Sequence, residues 1–377
     1  MIKVLHILDS LNRGGAEVME LDVCRNARAN NLDLTFVATG GGDLEEEFRN
    51  SAVEFIRLNR RLPVDLCVVS QLRRIIRERN IDVVHSHQPV EALHLYLATR
   101  GSQVKRVLTL HGVYAGTKND LALRFVLPRM HARVLLGKDL AAWLAGAQGI
   151  DVSPDFVVIN NGVDPKRLLS TGRKLRTELG LSDDATLLGM VANFYADRRK
   201  DQLTVCKALP QIFERDPSAQ FVFIGNTTDA PRLFDDCVNL CRQQDIFDRV
   251  HFLGKRSDIP DVLDSLDLFV LSSRWEGSPI SVIEAMMLGV PTVLSDIAPL
   301  REVSGDGAFA VFFQPGDADD LASKLIQIAS DREYRARLAS TAKQWAVSQF
   351  SIETHIANLL KLYRSLMSGA PPGARCL

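Results

Sequence analysis

The sequence predicts an α/β protein made of two Rossmann-like, doubly wound halves facing a cleft. Three observations carry this expectation. Short β-branched runs alternate with helix-periodic runs along the whole chain. The alternation stops at a turn cluster, Asn160-Asn161-Gly162-Val163-Asp164-Pro165, and then restarts. The chain's 377 residues are also too many for one ordinary core, so two domains of roughly 150–200 residues are expected.

In the first half, Lys3–Leu8 opens as a strand and Ala16–Ala29 follows as a helix, with Val18, Leu21 and Val23 or Cys24 turned inward. Leu34–Ala38, Val53–Leu58, Asp82–His85, Arg106–Leu110, Ala132–Leu136 and Phe156–Ile159 read as further strands, with helices at Leu66–Arg79 and Val90–Ala98. Polar residues from Ser170 to Asp184 read as a linker. In the second half, Thr186–Ala192, Ala219–Gly225, Arg249–Leu253, Leu268–Ser272, Thr292–Ser295 and Phe309–Phe313 read as strands. Lys200–Glu214, Arg232–Gln243, Ile259–Ser265, Ser281–Leu288 and Asp319–Ala329 read as helices, and Asp331–Ser348 and Ile352–Ser368 close the chain. The expected domains are 1–170, 171–345, a closing helix at 346–368 and a disordered tail at 369–377.

Composition narrows the function classes. A hydrophobic share of 46% and a charged share of 24% suit a soluble globular protein. The net charge of −1 gives no general pull toward nucleic acid. No apolar run reaches the ~18 residues of a membrane span, and the first residues read as a strand rather than a signal peptide, so the cytoplasm is the expected compartment. The six cysteines (Cys24, Cys67, Cys206, Cys237, Cys241 and Cys376) read as buried, reduced thiols, since no His or second Cys pair completes a metal set. Through Ser170 there are 22 Lys+Arg against 19 Asp+Glu, and the remainder has 23 against 27. The basic excess gathers at Arg57–Arg79 and Arg124–Arg133. These stretches could dock on anionic lipid heads or form solvated helix faces.

The run Arg274-Trp275-Glu276-Gly277-Ser278-Pro279-Ile280-Ser281-Val282-Ile283-Glu284 is the most informative segment. It joins the end of a strand to the start of a helix, where open α/β sheets bind ligands and where helix N–H groups favour an anion. Two glutamates there suit a ligand with hydroxyls as well as phosphate, such as a nucleotide sugar. The competing readings are structural. Ser281 and Glu284 have capping-box spacing, or Ser278 starts the helix with Pro279 as its first helical residue and Glu284 caps nothing. Glu276 otherwise reads as a solvated surface carboxylate.

Gly14-Gly15 between the first strand and helix would let a ligand approach the backbone, or would simply make a tight turn. The Gly-x-Gly-x-x-Gly fingerprint is absent, which argues against a nicotinamide dehydrogenase. His85, His87 and His111 fall at strand ends, where they could meet substrate or sit hydrogen-bonded in the core. Their spacing is no zinc pattern. Asp197-Arg198-Arg199-Lys200-Asp201 could stabilise a departing diphosphate or form a bare basic loop.

Together these segments resemble glycosyltransferase family 4, retaining enzymes of the GT-B fold, over nearly the whole chain. The carriers are Gly14-Gly15-Ala16-Glu17, Asp82-Val83-Val84-His85-Ser86-His87, Thr109-Leu110-His111-Gly112, Val158-Ile159-Asn160-Asn161-Gly162-Val163-Asp164, Phe252-Leu253-Gly254, and Ser273 through Glu284-Ala285-Met286. The resemblance implies that Glu284 binds ribose hydroxyls and that backbone N–H groups around Ser278, Pro279 and Ile280 hold the diphosphate. It implies Glu276 beside the donor sugar, Lys200 on the diphosphate, and Lys255 or Arg256 near the base. It also implies Gly14 and Gly15 near phosphates or acceptor, and His111 against donor sugar or acceptor. The family often has an arginine where Asn193 stands here, and Arg198 or Arg199 is the expected substitute.

The implied reaction is retaining transfer from a UDP- or GDP-sugar to a glycan or lipid-linked hydroxyl. It uses neither metal nor other cofactor, and a donor phosphate oxygen helps to deprotonate the acceptor. Interdomain closure would exclude water, and the tail helix with Tyr363 would return to the first domain. Expected partners are the donor, the acceptor and the inner face of an anionic membrane, with no nucleic acid. The alternatives are a nucleotide-sugar 2-epimerase of the same architecture and a non-catalytic sugar-nucleotide-binding partner. Against the last stand intact Glu276, Glu284, Lys200 and His111.

Overall fold

The computed structural model describes residues 1–112, 117–147, 149–150, 156–172, 174–182 and 184–369. The expected disordered tail beyond Gly369, with Cys376, lies outside the described residues. The chain forms two compact units, Met1–Asp164 with Phe350–Leu377, and Pro165–Gln349. The first boundary thus falls inside the turn cluster rather than after 170.

The first unit holds strands β1 (Lys3–Leu8), β2 (Asp33–Ala38), β3 (Glu54–Arg57), β4 (Val83–Ser86), β5 (Lys105–Leu110), β6 (Ala132–Leu135) and β7 (Phe156–Val158). Its helices are α1 (Gly15–Asn26), α2 (Glu45–Arg49), α3 (Leu66–Glu78), α4 (Pro89–Thr99), α5 (Thr117–Val126) and α6 (Lys138–Ala147). The second unit holds α7 (Lys174–Glu178), β8 (Leu187–Val191), α8 (Gln202–Arg215), β9 (Gln220–Ile224), α9 (Pro231–Gln243), β10 (Val250–Phe252), α10 (Ile259–Asp264), β11 (Leu268–Leu271), α11 (Ile280–Leu288), β12 (Thr292–Ser295), α12 (Ala298–Val303), β13 (Val311–Phe313), α13 (Ala318–Ser330) and α14 (Arg332–Phe350). Helix α15 (Ile352–Met367) belongs to the first unit and packs on α1.

Every pairing between these strands is parallel, in the orders β3-β2-β1-β4-β5-β6-β7 and β10-β9-β8-β11-β12-β13. The central strands are buried on both faces, which is why they read as continuous apolar runs rather than alternating ones. In each sheet the chain winds outward one way and then returns to wind the other. The switch points fall between β1 and β4 and between β8 and β11. Crevices beyond the carboxyl ends of strands at such points are where α/β sheets take ligands. Among the described residues, no helix is long and apolar enough to cross a membrane.

Two expectations need correction. The Ser170–Asp184 segment is not a loose linker, because α7 lies within it and is fastened by Arg176. That guanidinium donates to Ala185 O at 2.7 Å and Ser265 O at 3.0 Å and pairs with Asp267. Polar composition alone hid this anchor. Not all the cysteines are buried. Cys24, Cys206, Cys237 and Cys241 are, but Cys67 is exposed near the start of α3. In the basic stretches, Arg73, Arg74 and Arg77 lie exposed on α3, as the solvated-face reading expects, while Arg73 also donates to Leu97 O at 2.8 Å, Arg106 to Arg129 O at 2.9 Å and the buried Arg133 to Leu127 O at 2.7 Å.

Arg176→Ala would remove a donor from the carbonyls of Ala185 and Ser265 and leave Asp267 with only the Leu187 N–H. We expect a loss of about 2–4 kcal/mol in denaturant unfolding. A change below about 0.5 kcal/mol would restore the linker reading.

Candidate functional site

The second unit builds its site at the β8/β11 switch point. Both strands end in loops clasped together. Lys200 and Ser273 form an antiparallel bridge, Asp201 N–H donates to Ser272 O at 2.9 Å, and Arg274 N–H donates to Arg199 O at 2.9 Å. The Asp201 carboxylate continues the clasp. It accepts from Thr204 N–H at 3.4 Å as the cap of α8 and from Arg274 Nε at 3.0 Å. This clasp brings Lys200 Nζ onto the carboxylate of Glu276. Glu276 is only 9% exposed and also accepts from Ser273 Oγ at 2.5 Å. The solvated-surface reading of Glu276 is therefore wrong, because its carboxylate is buried and doubly partnered.

Glu276 is followed by Gly277, Ser278 and Pro279, and α11 begins at Ile280. Pro279 is the N-cap, not the first helical residue, and no side chain caps this helix. The Ser281–Glu284 capping box does not form. Glu284, 5% exposed, instead pairs with Arg167 Nη2 at 2.7 Å. Sequence reading missed Arg167, which sits in the short 3₁₀ turn Pro165–Leu168 far from the motif. Gly289 ends the helix at φ +79, a left-handed cap that suits glycine. The first N–H groups of α11 lack a capping side chain, and the dipole adds positive charge at the same end.

The basic residues divide. Arg198, at φ +56, pairs with Asp236 at 3.3 Å and is half exposed. Arg199 pairs with Asp197 at 2.6 Å and lies 4.8 Å from the Tyr195 ring and 5.8 Å from the Trp275 ring. Arg199, against the ring of Trp275, which precedes Glu276, is the one of the two in contact with this loop. Asn193 replaces the family arginine with a brace. Its Oδ1 accepts from Asn226 N–H at 2.8 Å. Arg256 is held by Glu178 at 2.7 Å and Asp258 at 2.6 Å, both of which raise its already high pKa, while Lys255 faces solvent.

At the β1/β4 switch point of the first unit, Gly14 is the N-cap of α1 and Gly15 its first residue. A Cβ on Gly14 would lie 2.5 Å from Glu17 Oε2, the mobile end of a side chain, and Gly14 has extended backbone angles that any residue adopts. Burial pushes Glu17 up to about 7. Glu91 accepts from Arg60 Nη1 at 3.0 Å and Thr39 Oγ1 at 3.2 Å. Burial and the neighbouring Asp9 still push it up to about 7, outweighing the arginine.

The strand-end histidines join one buried cluster, which the sequence reading left unassembled. His6 Nδ1 meets Glu20 Oε2 at 2.7 Å and His6 Nε2 meets Tyr363 Oη at 2.9 Å. His85 Nδ1 meets Tyr363 Oη at 2.6 Å and His85 Nε2 meets Thr109 Oγ1 at 2.7 Å. His87 Nε2 lies 3.2 Å from Glu20 Oε1, and His87 Nδ1 lies 2.8 Å from Nε2 of the partly exposed His111. Burial holds His85 and His87 well below the usual imidazole range and His111 at about 4, so all three are neutral at pH 7. His6, His85 and His87 each offer a nitrogen within 4.8 Å of the others. Around one zinc at ~2.0–2.1 Å such nitrogens would stand roughly 3.4 Å apart. Hydrogen bonds already engage both nitrogens of each ring, so the cluster suits protons better than an ion.

The chain matches the family model for glycosyl transferases group 1 over residues 172–345 and that for glycosyltransferase family 4 over residues 13–167. It belongs to the group 1, family 4 glycosyltransferases. It is 23% identical over 383 residues, covering 96% of each chain, to the UDP-Gal:alpha-D-GlcNAc-diphosphoundecaprenol alpha-1,3-galactosyltransferase of Escherichia coli. It is 24% identical to the N-acetyl-alpha-D-glucosaminyl L-malate synthase of Bacillus anthracis, over 81% of this chain and 80% of that one. In fold it is similar to Anabaena Alr3699/HepE in complex with UDP and glucose, at a TM-score of 0.83 and 20% identity, covering 97% of this chain and all of that one. It is likewise similar to WaaG, a glycosyltransferase involved in lipopolysaccharide biosynthesis, at a TM-score of 0.71 and 16% identity, over 94% and 99% of the two chains.

The raised pKa of Glu91 has a consequence for stability. Folding takes up a proton there between about pH 4.5 and about 7, so stability present below that window declines as pH rises through it. Glu91→Gln should remove much of the decline and gain up to ~3 kcal/mol on the wild type between pH 5 and pH 8. Equal pH slopes for both proteins in denaturant melts would count against this.

Proposed function

We propose that this glycosyltransferase moves a sugar from a UDP- or GDP-sugar to a hydroxyl of a glycan or lipid-linked acceptor in cell-envelope polysaccharide or glycolipid synthesis. Transfer retains the anomeric configuration and uses no metal. The observation that carries the reading is the Lys200–Glu276 pair, clasped at the end of β11 beside the uncapped N-terminus of α11.

The chemistry follows from charge. Breaking a sugar–phosphate bond leaves a cation-like sugar and a diphosphate with extra negative charge. An ammonium carries three N–H donors, so Lys200 can keep Glu276 and still reach a phosphate oxygen. With the N–H groups of Ser278, Pro279's successor Ile280 and the α11 dipole, it supplies the positive field that such a leaving group needs. Glu276 then offers carboxylate oxygens to sugar hydroxyls, and Glu284 offers its own to ribose next to Arg167. Arg199 adds charge where Asn193 has none, and Lys255 or Arg256 serves the base. His111 serves the donor sugar or acceptor. The relative that acts on a diphosphoundecaprenol-linked sugar supports a lipid-linked acceptor, and the solved neighbour holding UDP supports a nucleotide donor.

Glu276→Gln should fold normally yet lower sugar transfer by about 100-fold, the range for loss of one preorganised electrostatic contact. Wild-type turnover would remove Glu276 from the site. Conversion of donor without any acceptor would replace transfer by epimerisation. Lys200→Ala should weaken UDP or GDP binding by about tenfold or more in calorimetry. Unchanged affinity for both would take Lys200 off the diphosphate.

A further inference from the structure

We infer that Trp275, together with Tyr195, is a positioning residue for Arg199, holding its guanidinium to the loop that carries Glu276. The inference rests on the reading of Arg199 as a donor-binding cation.

Arg199 has only a local hold from its own loop. Its ion-pair partner, Asp197, stands two residues earlier and is itself half exposed. Arg199 Nη2 donates to Asp197 Oδ2 at 2.6 Å, and Arg199 Nε donates to Oδ2 at 2.9 Å and Oδ1 at 3.1 Å. An exposed pair of this kind contributes little, and it moves wherever its loop moves. Tyr195 lies in the same loop, with its ring centroid 4.8 Å from Arg199 Cζ.

Trp275 adds what these contacts cannot. It belongs to the other loop, immediately before Glu276, and its ring centroid lies 5.8 Å from Arg199 Cζ. The backbone arranges the meeting. Arg274 N–H donates to Arg199 O at 2.9 Å, next to the Lys200–Ser273 bridge. One ring from each loop thus lies within cation–π range of the same guanidinium. Core packing does not account for the two rings, since both are part-exposed.

This hold suits a cation that must still bind an anion. Attraction to an aromatic face uses the charge of the guanidinium and not its in-plane donors. Asp197 takes hydrogens from Nε and Nη2, so three of the five N–H groups of an arginine remain for a phosphate. An arginine on a mobile stem loses rotamer freedom when it grips a ligand, and contacts made beforehand reduce that loss. Because Trp275 is joined to Glu276, the same contact keeps the two functional groups in register across the clasp.

The test is a double-mutant cycle on the full chain, read by calorimetry as affinity for whichever of UDP and GDP the wild type binds more tightly. Arg199→Ala and Trp275→Leu should each weaken binding by about five-fold, the upper range for a part-exposed cation–π contact. Trp275→Phe keeps an aromatic face and should restore most of that affinity. In the Arg199→Ala background, Trp275→Leu should change affinity by less than about two-fold, because its partner is already gone. A full loss in that background would overturn the inference, since Trp275 would then act through Glu276 or the shape of the loop. Tyr195→Phe should bind like the wild type. A loss there as large as in Tyr195→Leu would assign the effect to the hydroxyl and remove Tyr195 from the pair. A second measurement needs no nucleotide. In proton NMR the Arg199 Nε–H signal, assigned by its disappearance in Arg199→Lys, should move in Trp275→Leu as the ring current is lost. A signal that stays in place would overturn the positioning. Unchanged nucleotide affinity in Arg199→Ala would instead overturn the donor-binding reading of Arg199, and the moved signal would still stand.

Discussion

The clasp between the loop after β8 and the loop after β11 is the constraint on which the second unit's chemistry depends. Parallel neighbours diverge beyond their last ladder bond, and nothing in a βα repeat obliges their exits to meet. Here the Lys200–Ser273 bridge and its flanking hydrogen bonds carry the pairing past the sheet with reversed polarity. A lysine from one loop and a glutamate from the other are thereby fixed in one place by backbone. Lys has a long, flexible stem, and a point charge placed that way by its side chain alone would lose rotamer freedom on binding. The clasp removes that cost in advance, which is how preorganised charge outperforms mobile charge at a leaving group.

Burial explains why the site's acids come paired. An isolated ionised carboxylate in a low-dielectric setting is expensive, and Glu276 and Glu284 are nearly closed off from water. Lys200 and Arg167 make ionised carboxylates tolerable there. The same pairing leaves the region close to neutral overall and poised. On the proposed function, a diphosphate would meet Lys200 and the α11 N-terminus, and the hydroxylated parts of the donor would meet carboxylates already held in place. Asn193 fits this scheme as a brace rather than a charge, since its side chain ties the β8 loop to Asn226 at the end of β9.

The fold was legible in the sequence because parallel strands buried on both faces must be apolar throughout, and their alternation with amphipathic helices is then plain. Short helices escaped notice. Glu45–Arg49 and Lys174–Glu178 are too brief for a periodicity to show, and their order comes from contacts such as those of Arg176. Of the site, the residues contiguous with a motif were readable, as with Glu276, Glu284 and Lys200. Arg167 and Glu20 were not, because a lone arginine in a turn and a lone glutamate in a helix carry no local signal. Asn160-Asn161-Gly162 was readable as a turn, but its partner was not. His355 of α15 packs so closely that a Cβ on Gly162 would lie 2.6 Å from its own Cβ.

The two switch points solve opposite electrostatic problems with the same topology. Beyond β8 and β11, full charges face one another in matched pairs, which suits a dianionic group that must be gripped and then stabilised as it departs. Beyond β1 and β4 lie His87 and His111, imidazoles that burial keeps neutral, in the same unit as Arg60 paired with Asp9 and Glu91. On the proposed function, the charged pairs of the second unit would serve the departing phosphate group, and the neutral imidazoles of the first would offer hydrogen-bond donors and acceptors to hydroxyls.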